Sequence, residues 1–171
     1  MTRHVVITLA FLLSTTAIAA PTSKPTQETW EGRVTRVVDG DTVEVTRPAA
    51  IGCITIQKIR VRGVDAPEKA QAYGKAAARF TAGFLFNQSV RVVVKEKDRY
   101  GRWVADLCRG KSKYMCVSYQ LVRQGWAWWY RQYEPKDTVL KRAEEKAKKS
   151  KLGLWAGKDP QAPWDWRKAR R

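Results

Sequence analysis

With 171 residues the chain is sized for one domain, large enough to bury ~70% of its unfolded surface, so folding does not require a metal staple. Its 33 Lys and Arg against 16 Asp and Glu give a formal net charge of +17. That charge selects polyanionic partners, nucleic acid or an anionic membrane, without naming a reaction.

The N-terminus reads as a targeting segment. Arg3 and His4 give a short charged or polar start, Val5 to Leu13 an apolar run, and Ala17-Ile18-Ala19 a small-x-small cleavage signal. Cleavage is expected after Ala19, because a cut after Ala20 puts Pro21 directly beyond the scissile bond. The alternative, an uncleaved anchor, needs ~20 apolar residues, which this run does not reach. The chain then divides into a signal peptide (residues 1–19), a flexible leader rich in Pro, Thr and Ser (20–29), a folded domain (30–157) and a basic, Trp-rich tail (158–171). A secreted or periplasmic location follows.

His4 is the only histidine, so the mature chain has no His base, no His metal ligand and no Ser-His pair. Zinc is disfavoured as well, because Cys53, Cys108 and Cys116 lack the paired close spacing of zinc sites. In an exported chain the three cysteines suggest one disulfide and one leftover thiol; the sequence does not choose the pairing, although Cys108 and Cys116 flank the polar turn Arg109 to Lys113, and three buried thiols are the alternative.

The first half of the domain predicts strands. Val34, Val37, Val38, Val43 and Val45 surround Asp39-Gly40-Asp41-Thr42, a hairpin signal because Asp-Gly tolerates positive backbone angles. From Ile54 to Val64 the pattern alternates, with Ile59 and Val61 on one face and Lys58, Arg60 and Arg62 on the other. Val90 to Val94 and Trp103 to Leu107 complete five strands, read as a meander.

Three helices fill the gaps. Tyr73, Ala77, Phe80 and Phe84 predict one helix with an aromatic stripe toward the sheet. Val117 to Gln124 predicts a second, stopped by Gly125. A third starts after the N-cap Asp137 and runs through Leu140, Ala143 and Ala147 to about Lys151. Trp126 and Trp129 are expected to pack beneath it. The expected fold is α+β, mainly β: a five-stranded OB-fold barrel with three helices.

Three motifs carry chemistry. Asp39-Gly40-Asp41-Thr42, Asp65-Ala66-Pro67-Glu68 and Asp98-Arg99-Tyr100-Gly101-Arg102 each pass alone as a turn, but together they place acids and arginines on neighbouring strands. Paired carboxylates hold a hard cation, a third acid activates water, and arginines neutralise charge on a phosphoryl oxygen. Their order and spacing resemble the staphylococcal-nuclease-like (thermonuclease) family, over about Val34 to Trp155. The resemblance implies metal ligands at Asp41, Asp65 and the carbonyl of Ala66, where the family usually has Thr. It also implies a general base at Glu68, phosphate-binding arginines at Arg60 and Arg102, and a substrate grip at Arg99 and Tyr100. Of two tyrosines lining the family's nucleotide site, one falls on Tyr133 and the other on Arg131, with Trp128, Trp129 and Tyr130 nearby as replacement rings.

The resulting expectation is an exported, monomeric, calcium-dependent nuclease. It cuts DNA and RNA, prefers unpaired strands and leaves 3′-phosphate ends. A catalytically inactive nucleic-acid-binding OB-fold protein is the alternative, and a cationic protein acting on anionic membranes is a third reading. The tail's Trp164, Trp166 and Arg167 to Arg171 suit a phosphate-hugging arm or, as the alternative, a docked or frayed terminus.

Overall fold

A computed structural model describes residues 27–170, and the signal peptide predicted at 1–19 lies outside the described residues. Strands β1 (Thr29–Val37), β2 (Thr42–Pro48), β3 (Ile54–Val61), β5 (Ser89–Lys97) and β6 (Trp103–Cys108) close a barrel in the order β1-β2-β3-β6-β5. Two short strands, β4 (Val64–Asp65) and β7 (Trp128–Trp129), pair with each other outside it. Helices α1 (Gly74–Leu85), α2 (Val117–Arg123), α3 (Thr138–Lys149) and α4 (Pro163–Lys168) complete the fold. Among the described residues no helix is long and apolar enough to cross a membrane.

The alternating valines dictate the barrel. Val34, Val43, Val45, Ile59, Val61, Val90, Val92 and Leu107 all point inward and are almost wholly buried, each contributing on the order of 1.5–3 kcal/mol. The five predicted strands are the five barrel strands, but they do not form a meander. Between β4 and β5 the chain crosses the barrel as α1, so β5 lands beside β1, and β6 fills the gap against β3 in parallel register. Ile54 and Ile56 lie on the outer face of the β2–β3 hairpin and stay exposed.

Helix α1 begins one residue later in phase than its aromatic stripe suggests. Tyr73 is the N-cap, with φ +68°, and the buried face is Gly74, Ala77, Thr81 and Leu85, with Phe80 and Phe84 partly buried beside it. Asp137 caps α3 as predicted, accepting from the backbone N–H groups of Val139 and Leu140 at 3.0 and 2.9 Å. Trp129 packs against the core and donates its backbone N–H to Glu144 Oε1 of α3 at 3.1 Å.

Two further details bear on sequence expectations. Cys108 and Cys116 are disulfide-bonded, joining the end of β6 to the start of α2, while Cys53 is free and exposed. Ahead of β1, Gln27 already donates its side-chain amide to the Val94 carbonyl at 2.8 Å, and Glu28 forms an ion pair with Arg47. The barrel edge therefore starts inside the stretch read as flexible leader (20–29).

Candidate active site

The β1–β2 loop, the β4 turn and the outer face of β3 converge at one end of the barrel. Gly40 lies so close to α1 and to the β4 turn that a Cβ there would stand 2.6 Å from the Ala66 methyl and 2.9 Å from that of Ala77. Its φ is not in the positive range. Glycine is thus required by close approach, not by the positive-φ turn that Asp-Gly suggests. The Thr81 hydroxyl of α1 clamps the loop further, donating to the Gly40 carbonyl at 2.6 Å.

This clamp fixes Asp41. Its Oδ2 accepts from the Ala66 backbone N–H at 2.6 Å and its Oδ1 from the Thr42 hydroxyl at 3.2 Å. Asp39 in turn accepts the Asp41 backbone N–H at 3.1 Å. Glu68 is positioned by Gln71, which bonds the Glu68 backbone through its side-chain oxygen and its own N–H. A Cβ on Gly74 would meet the Glu68 carbonyl, so the turn and the start of α1 are packed backbone to backbone.

Arg60 sits between the acids. Nη2 donates to Asp65 Oδ1 at 2.7 Å and Nη1 forms an ion pair with Asp41 Oδ1 without hydrogen-bond geometry. Burial lowers its pKa; Asp65 opposes that shift and the charge of Arg102 adds to it. Arg102 is therefore within electrostatic reach of Arg60. It is held by Asp98, whose Oδ2 accepts its Nε–H at 2.8 Å and whose Oδ1 accepts its backbone N–H at 2.9 Å. Burial acts to raise the Asp98 pKa, but the bonds from Arg102 and Tyr100 outweigh it and hold the carboxyl below its usual value.

Asp41, Asp65, Ala66, Glu68 and Arg60 are thus brought together, with Arg102 beside them. Arg99 and Tyr100 stand on the β5–β6 hairpin, where both Arg99 and Arg102 pack over the exposed Tyr100 ring. Among the described residues they form no ion pair or hydrogen bond to the acid cluster. Tyr133 is exposed, its ring 4.7 Å from that of Tyr130. Tyr130 has its pKa raised by burial and by the nearby charge of Asp65.

One member was not singled out from sequence. Arg167 of α4 donates from Nη2 to Asp65 Oδ2 at 2.8 Å, and from Nη1 to Asp65 Oδ1 at 3.3 Å and Glu68 Oε1 at 2.7 Å. Burial acts to lower its pKa, but the bonds to the two acids prevail and raise it. The sequence marks Arg167 only within the basic run 167–171, and its spacing of three from Trp164 puts both on one face of a helix started by Pro163.

The donor set of Asp41, Asp65 and the Ala66 carbonyl is all oxygen, which suits a hard cation, and the carboxylates already surround positive guanidinium groups. Among the described residues no group of three or more His, Cys, Asp or Glu side chains forms a metal cluster.

Residues 58–157 match the family described as staphylococcal nuclease homologue. The chain belongs to that family. The match contains Arg60, Asp65, Ala66, Glu68 and Arg102, while Asp41 precedes it and Arg167 follows it. A relative named micrococcal nuclease from Shigella flexneri is 36% identical over 162 residues, covering 90% of this chain and 89% of that protein. An uncharacterized endonuclease from Escherichia coli O157:H7 is 39% identical over 138 residues, covering 80% of this chain and 84% of the other. A second, from Haemophilus influenzae, is 32% identical over 170 residues, covering 97% and 86%.

Proposed function

We propose that this staphylococcal nuclease homologue is an exported, calcium-dependent nuclease that hydrolyses DNA and RNA and leaves 3′-phosphate ends. The observation that carries the reading is the convergence of Asp41 and Asp65 on Arg60, with Glu68 joined to Asp65 through Arg167 and Arg102 in electrostatic reach of Arg60. A barrel that only bound nucleic acid would need the arginines but would gain nothing from burying two carboxylates beside them. Membrane binding needs them no more. The nuclease names of the relatives point the same way.

Asp41, Asp65 and the Ala66 carbonyl would hold calcium, which tolerates six to eight oxygen ligands. Bound there, the ion supplies Lewis-acid stabilisation of charge on a phosphoryl oxygen. The chain's own residues do the rest. Glu68, 41% exposed at its side chain, is open enough to meet a water and take its proton as the water oxygen attacks phosphorus. Arg60 and Arg102 present forked donors to the charge that accumulates on the phosphoryl oxygens. As the bond from phosphorus to the 5′ oxygen breaks, Arg102 hydrogen-bonds the departing oxygen and the phosphate remains on the 3′ side.

Exposed Tyr100 and Tyr133 offer faces on which unpaired bases stack, so single strands are the preferred substrate. The chain works as a monomer without a stable protein partner. The test is digestion of single- and double-stranded DNA and RNA by the purified protein with calcium and then with chelator, followed by analysis of product ends. Cleavage only with calcium, giving ends that a polymerase extends only after phosphatase treatment, is the expected result. Full digestion in chelator would sink the metal assignment.

A further inference from the structure

Arg167 occupies the centre of the acid cluster. Together with Arg60 it engages both oxygens of Asp65, whose side chain is 1% exposed, and it ties the same carboxylate to Glu68. An incoming cation that needs an Asp65 oxygen must take the place of one guanidinium. Arg60 is not free to leave, because it projects from a barrel strand and is 14% exposed. Arg167 is 37% exposed and rides on a six-residue helix near the end of the chain. The local charge supports the exchange: without Arg167, the carboxylates of Asp41, Asp65 and Glu68 outnumber Arg60 and Arg102, and the cluster stays negative.

The segment that delivers Arg167 is docked through a small set of contacts. Trp164 stacks on Tyr130 with ring centroids 5.4 Å apart and planes within 5°, and meets Trp128 edge-on at 6.4 Å. Pro163 is buried, and the Gln71 side-chain amide donates to the Gln161 carbonyl at 2.6 Å. Two solvent-open clefts of about 270 Å³ each flank the segment, both lined by Trp128, Pro160 and Gln161. Gln71 also holds the Glu68 turn, which places the tail's anchor and the proposed general base on one side chain.

We propose that Arg167 is a tethered cation that closes the acid cluster until a divalent metal displaces it, so that the C-terminal segment sets the metal concentration at which the site loads. The proposal rests on the calcium reading above. When the competent, undocked form is a fraction of the total, apparent affinity falls by that fraction. A tail docked in 90–99% of molecules weakens calcium binding ~10–100-fold.

The experiment is calorimetric titration of calcium into the purified protein without substrate, for the unmodified chain, Arg167→Gln, Trp164→Ala and Arg170→Gln. Arg167→Gln is expected to tighten calcium binding by at least ~10-fold. Trp164→Ala should shift it the same way, since it loosens the dock while keeping the charge. Arg170→Gln removes an equal charge that touches no acid and should leave the affinity within about twofold. In hydrogen exchange, residues 163–168 should lose protection as calcium saturates. Unchanged or weaker binding by Arg167→Gln overturns the proposal, as does an equal shift from Arg170→Gln or unchanged protection of the tail. If neither the unmodified chain nor Arg167→Gln binds calcium while both remain folded, the calcium reading itself fails.

Discussion

Gly40→Ala probes how the fold positions its first acid. The added methyl would stand 2.6 Å from the Ala66 methyl, about 1 Å inside the ~3.5–4.0 Å optimum for carbon atoms, and 2.9 Å from Ala77 on the other side. Because Ala77 is fully buried in α1, the loop must retreat from the β4 turn. A retreat of about 1 Å stretches the 2.6 Å bond from the Ala66 N–H to Asp41 past hydrogen-bonding range. Overpacking costs about 1–3 kcal/mol, and a lost bond to a charged group about 1.5–3. Partial relaxation makes a total of ~2–4 kcal/mol the expected loss in a urea melt. Misplacement on this scale also lowers single-turnover cleavage of a saturating short oligonucleotide by ~10²-fold. Ala66→Gly removes the methyl that collides, so the double variant should recover part of both losses. A Gly40→Ala protein within ~0.5 kcal/mol of the unmodified chain, with unchanged cleavage, refutes close approach as the reason for glycine.

Glu68→Gln should lower single-turnover cleavage by ~10²–10⁴ if the carboxylate is the base, since the amide keeps the shape but accepts no proton; an unchanged rate removes Glu68 from that role. Arg102→Lys and Arg60→Lys should each cost on the order of 10²-fold in the same assay, because an ammonium cannot reproduce the forked contact. Arg142→Ala, exposed on α3, should change mainly affinity for long substrates. Affinity of the Glu68→Gln protein for long nucleic acid should fall linearly on a log-log salt series, and a flat response would assign the positive surface to another partner. Replacing Cys108 and Cys116 by serine opens a link between residues eight apart, worth about 2.5 kcal/mol by chain entropy; a denaturant melt shifted by under ~0.5 kcal/mol would refute that estimate.

The barrel strands were legible because their alternation has a simple cause: one face of each is dry. Their order was not, because it depends on where α1 carries the chain, and no local pattern near β5 encodes a neighbour some 60 residues earlier. The helix stripe was misphased by Tyr73, which has the right spacing but sits at a left-handed cap outside the helical repeat. At the site, three turns were readable as motifs because each carries its chemistry in adjacent residues. Arg167 was not, since its importance arises from contacts about 100 residues away in sequence with Asp65 and Glu68. Gly40 was noticed for the wrong reason: a dipeptide shows which backbone angles it tolerates, never what approaches it from another element.

The parallel pairing of β3 with β6 separates two design problems that most hairpin-built sites must solve together. Register across that ladder sets Ile59 opposite Trp103 and Arg60 opposite Val104, so the relative height of Arg60 and Arg102 is decided by strand alignment. The hairpin tip carrying Arg99 and Tyr100 leads into β6, and Asp98 at its base fixes Arg102 through the backbone N–H and Nε. Arg99 and Tyr100 could be exchanged to suit a different polymer while Asp98 and the β3–β6 register keep the spacing of the two charge-neutralising arginines. The barrel thus behaves as a fixed chassis with an interchangeable tool at its rim.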